Sequence, residues 1–160
     1  MRPVPAAPCL ALIHAFEGSN GSFEPNRVQD PGGLWEIGWS HKLLGQSDPL
    51  WDVTITRAEA DALALEDLGK AAAGVCLALG PVVDELTDGQ YAVCLDFAYN
   101  EGVGRFCGST FCHYIVIGNM ALAPLELPKW VYGHVDGVEQ VLPGLVRRRQ
   151  AELDVWKTSA

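Results

Sequence analysis

Basic residues are scarce in this chain: 11 lysines and arginines stand against 20 aspartates and glutamates, a formal charge of -9 over 160 residues. No stripe of cations is there to neutralise phosphates, so nucleic acid is excluded as a partner. A long apolar run is missing too. Pro3, Pro5 and Pro8 follow Met1-Arg2 closely, which spoils a signal-peptide core. Nothing further along reaches the ~20 apolar residues of a membrane span, so no membrane partner is expected. The five cysteines, Cys9, Cys76, Cys94, Cys107 and Cys112, are odd in number and lack metal-ligand spacing. Neither a metal nor a cofactor is implied. Cys107 and Cys112 are near enough in sequence to pair, although free thiols in a reducing cytoplasm are the plainer reading. Internal repeats and low-complexity segments are absent as well. What remains is a chain of ordinary apolar content, 49%, long enough for one well-packed domain.

Against that background, the stretch from Phe16 to Lys42 sets three carboxylates, Glu17, Asp30 and Glu36, into a short glycine-rich segment. Glu17 ends the apolar run Leu10 to Phe16, which reads as a short helix, and Gly18 stands where a C-cap glycine would. An anion there faces the negative end of the helix dipole, a poor place for stability. A carboxylic acid that keeps its proton is what general-acid catalysis needs. Asp30-Pro31-Gly32-Gly33 is a turn by composition, although Asp is also an ordinary turn residue. Leu34 to Trp39 follows with partial period-two alternation, so a small hairpin is expected to hold Asp30 and Glu36 near Glu17. Two carboxyl groups across a cleft are the core of glycosidic-bond hydrolysis.

Further along, Thr56 to Glu59 forms a capping box, and Leu63, Leu68, Ala72, Val75 and Leu79 follow at helical spacing until Gly80-Pro81. A second box, Thr87 to Gln90, opens a central helix with Tyr91, Cys94, Leu95 and Ala98 on one face and Phe97 beside it. Ser109 or Thr110 caps a short helix that Gly118 ends. Pro124 and Pro128 predict a kinked or broken helix between Asn119 and Val131. A last helix begins at Pro143-Gly144 and runs to Trp156, with Arg147 to Gln150 mostly solvated. Trp130 reads as core; Trp35, Trp39 and Trp51 read as core or, for one of them at most, as a sugar-stacking ring.

Phe16-Glu17-Gly18, Asp30 in its turn, and Glu36-Ile37-Gly38-Trp39-Ser40-His41 together resemble the phage lysozyme (endolysin) family, muramidases of glycoside hydrolase family 24. The likeness continues through Leu86 to Phe106 and Leu142 to Trp156. It implies a mainly helical α+β, lysozyme-like, two-lobed fold. A small β-hairpin lobe of about residues 18-54 would be joined by a long helix to a helical lobe of about 56-160 that also takes the N-terminal helix, about 8-17. It also implies hydrolysis of the β-1,4 bond between N-acetylmuramic acid and N-acetylglucosamine in peptidoglycan, with no cofactor. Glu17 would be the catalytic acid and Asp30, with Glu36, the second catalytic group. Lys42, Tyr99, Asn100 and Thr110 would bind substrate, and a structural His41 to Asp67 ion pair would tie the small lobe to the long helix. A monomer is expected, made in a host cytoplasm and reaching the cell wall after release through a holin-type pore.

Two departures stand out. The Glu17 to Asp30 spacing is about four residues longer than the family's, and Glu36 replaces the family's threonine. Glu36 therefore leaves open replacement of Asp30 as base, direct attack on the sugar in retaining or transglycosylating chemistry, or a wall-binding protein with impaired turnover.

Overall fold

The computed structural model describes residues 1-18, 22-30, 32-135 and 137-158. Helix α1, Ala6–Phe16, starts earlier than the apolar run suggested. Pro8 falls in its first turn, where a missing N–H removes no helical bond. Cys9, Leu12 and Ile13 are the residues it buries.

Three short strands follow: β1 Glu24–Gln29, β2 Trp35–Gly38 and β3 His41–Lys42, antiparallel in the order β1-β2-β3. The expected hairpin is thus part of a three-stranded sheet. Asp30 closes the first turn twice over: its N–H donates to the Leu34 carbonyl and its Oδ1 accepts from the Leu34 N–H, both at 2.9 Å. The second turn pairs Glu36 with Lys42 and Ile37 with His41. That register sets an anion and a cation side by side on one face of the sheet.

Both capping boxes form as the sequence predicts. Thr56 and Glu59 start α2, Arg57–Leu79, and Thr87 and Gln90 start α3, Asp88–Glu101. The buried face of α2 is Ala60, Ala64, Leu68, Ala72, Val75 and Leu79, with Leu63 only partly covered. At about 1.5 Å per residue its 23 residues span about 35 Å. Helix α3 is buried from Gly89 to Ala98 and packs against α1 and α2, which makes it the centre of the core.

Short helices α4, Val103–Cys107, and α5, Thr110–Val116, come next. Ser109 is the cap of α5; its Oγ accepts from the Cys112 N–H at 3.0 Å. Residues Ala123–Lys129 form a 3-10 helix rather than an α-helix, as the two prolines there require. An unexpected hairpin then pairs β4, Tyr132–Val135, with β5, Val138–Val141. Helix α6, Pro143–Thr158, closes the chain against α1 and α3. One expectation for it fails. Arg148 and Arg149 are not solvated but 4% and 1% exposed, because their guanidinium groups are drawn onto acidic side chains of the core.

Among the described residues, no helix is long and apolar enough to cross a membrane.

Candidate active site

Glu17 follows directly on α1, and its backbone N–H still donates to the Ile13 carbonyl at 2.8 Å. Gly18 then turns the chain at φ +73°. A Cβ there would lie 2.1 Å from the Ser22 carbonyl oxygen, so only glycine fits. The carboxylate of Glu17 does not stand alone. Arg148 Nη1 donates to its Oε1 at 2.7 Å, while Nε and Nη2 of the same guanidinium donate to the two oxygens of Asp96 at 2.9 Å each. Asp96 is 2% exposed, so the fork is anchored inside the core and only its outer nitrogen reaches the cleft.

Facing Glu17 is the sheet. Glu17, Glu36, Ser40, His41 and Lys42 line a cleft of about 490 Å³ with Asp67 and Lys70 of α2 and Tyr99 and Asn100 of α3. Lys42 Nζ donates to Glu36 Oε2 and to Asp30 Oδ2, at 2.8 Å each, so one ammonium joins the two sheet carboxylates. Partial burial works against that charge, but the bonds to Asp30 and Glu36 outweigh it and hold the Lys42 pKa above its ordinary value. Asp30 is held below the ordinary carboxylate range by Lys42 first and by the Leu34 N–H second. Asp30 itself is not among the residues lining the cleft; it stands behind Lys42.

The remaining expected residues divide. His41 Nδ1 and Asp67 Oδ2 are 2.7 Å apart, joining β3 to α2. Tyr99 donates to the Trp39 carbonyl at 3.0 Å, and burial pushes its phenol pKa up. Asn100 Oδ1 accepts from Arg149 Nη2 at 2.9 Å. Thr110 lies elsewhere, in a depression it shares with Arg105, Trp130 and Tyr132, while Ser109 takes the cap position of α5. None of the three sheet-region tryptophans lines the cleft. Trp39 is 1% exposed and donates to Asp61, while Trp35 and Trp51 pack edge to face at 5.1 Å.

Arg148 and Asp96 were the residues that motif reading passed over. The signal was available: Leu145, Arg148, Arg149, Glu152 and Trp156 share one face of α6 at helical spacing. Among the described residues, no cluster of three or more His, Cys, Asp or Glu is placed to hold a metal ion.

A cleft between a small sheet and a helical body, lined by a helix-end glutamate and a strand glutamate, fits a glycoside hydrolase of the lysozyme type. The comparisons give the family. The chain belongs to the phage lysozyme family, whose pattern matches residues 16-152. It is 30% identical to an endolysin of Acyrthosiphon pisum secondary endosymbiont phage 1, over 94% of this chain and 95% of that one. It is 34% identical to an endolysin of Bacillus phage PZA over 89% of this chain, and spans about half of that longer relative, 51%. In structure it is similar to the muramidase domain of SpmX from Asticaccaulis excentricus, with a TM-score of 0.80 and 26% identity, over 97% of this chain and 98% of that one.

Proposed function

We propose that the protein cleaves the β-1,4 bond between N-acetylmuramic acid and N-acetylglucosamine, with Glu17 as general acid and Glu36, paired with Asp30 through Lys42, as the group that activates water. Peptidoglycan hydrolysis is the activity of the family to which the chain belongs. The observation that carries the residue assignment is that Glu17 and Glu36 line the same cleft while Lys42 bridges Glu36 to Asp30.

In this mechanism Arg148 holds Glu17 Oε1, so Oε2 is the oxygen left to transfer a proton. Glu17 gives that proton to the glycosidic oxygen as the bond from the anomeric carbon breaks. Water adds to the anomeric carbon from the Glu36 side and passes its proton to the Glu36 carboxylate, which leaves a new reducing end. Exchange with solvent then restores both groups. Asp30 stays ionised under Lys42 and keeps the ammonium in place, so that Glu36 is fixed in the cleft. Asn100, whose carbonyl oxygen is held by Arg149, has amide N–H groups that no hydrogen bond engages among the described residues, and they can meet an N-acetyl carbonyl. Tyr99 and Lys42 complete the contacts to substrate, and the His41–Asp67 pair keeps the sheet seated on α2. The protein works as a monomer that reaches the wall after release through a holin-type pore.

The test is the appearance of reducing N-acetylmuramic acid ends from purified peptidoglycan. Glu36→Gln, which keeps the size and loses the base, is expected to lower kcat by roughly 10²- to 10⁴-fold. Parental kcat in that variant would remove Glu36 from the chemistry.

A further inference from the structure

The cleft does not end at Glu17. A second groove of about 850 Å³ opens beyond it and shares Glu17 and Asn100 with the first. Phe16, Leu142, Pro143 and Leu145 give it an apolar lining, and Arg147 stands there beside the Arg148–Glu17 pair. Its volume lies well within the roughly 300–1,000 Å³ of ligand sites. The division of the two spaces follows from the chemistry. A general acid sits at the bond being broken, so the sugar attacked by water occupies the cleft that holds Glu36. The departing sugar then occupies the groove on the far side of Glu17.

Arg147 differs from its neighbours on α6. Arg148 is buried on Glu17 and Asp96 and Arg149 on Glu101 and Glu152, and Arg2, Arg27 and Arg105 each hold a carboxylate at the surface. Arg147 is exposed, and among the described residues no hydrogen bond or ion pair engages it. In a chain with a formal charge of -9, an unpaired guanidinium in the wall of a groove beside the catalytic acid awaits an anion from the substrate. The sugar hydroxyl and N-acetyl groups of peptidoglycan are uncharged. Its carboxylates belong to the stem peptide, borne on the lactyl group of muramic acid, and muramic acid is the second sugar of the departing strand.

We propose that this groove takes the departing end of the glycan strand and that Arg147 pairs with a carboxylate of its stem peptide. Arg147 is then a specificity residue that makes peptide-bearing strands the better substrate. A guanidinium fork suits a carboxylate in two-point contact. The inference rests on the reading of Glu17 as the acid between the two spaces.

The experiment compares kcat/KM on peptidoglycan with intact stem peptides and on the same glycan strands stripped of peptide by an amidase, with the lactyl carboxyl that this frees then capped as its uncharged methylamide. In Arg147→Ala the ratio of the two is expected to fall about tenfold, mainly through KM, as loss of a charged hydrogen bond would give. Arg147→Lys, which keeps the charge, retains most of the preference. Lys157→Ala removes one cation from the far end of α6 and leaves the ratio at the parental value. A parental ratio in Arg147→Ala, or an equal fall in Lys157→Ala, overturns the inference while the hydrolase reading stands. A parent protein that cleaves neither substrate overturns the assignment of Glu17, and this inference with it.

Discussion

Glu17 owes its setting to residues far away in sequence. Arg148 reaches it only because Asp96 takes the other side of the guanidinium, and Asp96 lies next to Glu152, which is 0% exposed. Burial pushes the Glu152 carboxyl well above its ordinary range, the neighbouring Asp96 adds to that, and Arg149 offsets a part. Asp96 goes the other way: burial alone would raise it, but the charge and hydrogen bonds of Arg148 bring it below the ordinary value. The two have opposite consequences for stability. Folded Glu152 keeps a proton that the unfolded chain releases above about pH 4.3, so its contribution to stability declines as pH rises from there. The contribution of Asp96 is present above about pH 4 and is lost as pH falls through its lowered value. Glu152→Gln cannot ionise and keeps a hydrogen-bonding group of the same size. Its Tm relative to the parent is therefore expected to rise steadily between about pH 4.5 and 8. A Tm difference that stays constant over that range would contradict the protonated state assigned to Glu152.

At the scale of elements, the sheet must press on α2 to bring Glu36 and His41 into the cleft, and Gly38 permits it. Its φ is +69°, and a Cβ there would come within 3.2 Å of Ala60 Cβ and 3.3 Å of Ile55 Cδ1. Gly38→Ala is expected to cost about 1–2 kcal/mol from the left-handed backbone. The accompanying drop in Tm would be roughly 2–8 °C by thermal melting; an unchanged Tm would mean that the contact is loose. The elements that sequence reading captured are those written locally. Two capping boxes and an alanine-rich face announce α2 and α3, and Pro124 with Pro128 announce a break. Strand β1 escaped because Glu24-Pro25-Asn26-Arg27 has neither alternation nor strand propensity and gains its structure from pairing with β2. The β4–β5 hairpin had a local signal in Asp136-Gly137, between Val135 and Val138, that went unused. Within the site, Glu17 and the His41–Asp67 pair were legible from order and motif. The Lys42 bridge was not, since it depends on β3 pairing with β2 in a register that places Lys42 opposite Glu36. Thr110 lines a different depression, since nearness in sequence to a cleft-lining helix does not decide which side of the next helix faces the cleft.

For the molecule as a whole, acidic residues predominate, with a formal charge of -9. The fold shows how its few cations are deployed. Lys42 sits among the sheet carboxylates, Arg148 sits on Glu17, and Arg147 stands open in the adjoining groove. With Lys70 on the wall of the cleft, four of the eleven cations are thus gathered around Glu17. That concentration, built from a strand, two helices and a buried aspartate, lies where the cleft and the adjoining groove meet at Glu17. The measurement that tests this account most directly is clearing of purified, permeabilised bacterial cell walls by the parent protein beside Glu17→Gln, with thermal melting to show that both are folded. The account predicts clearing by the parent and a loss of at least about 10²-fold in the variant. Near-parental clearing by folded Glu17→Gln would contradict it.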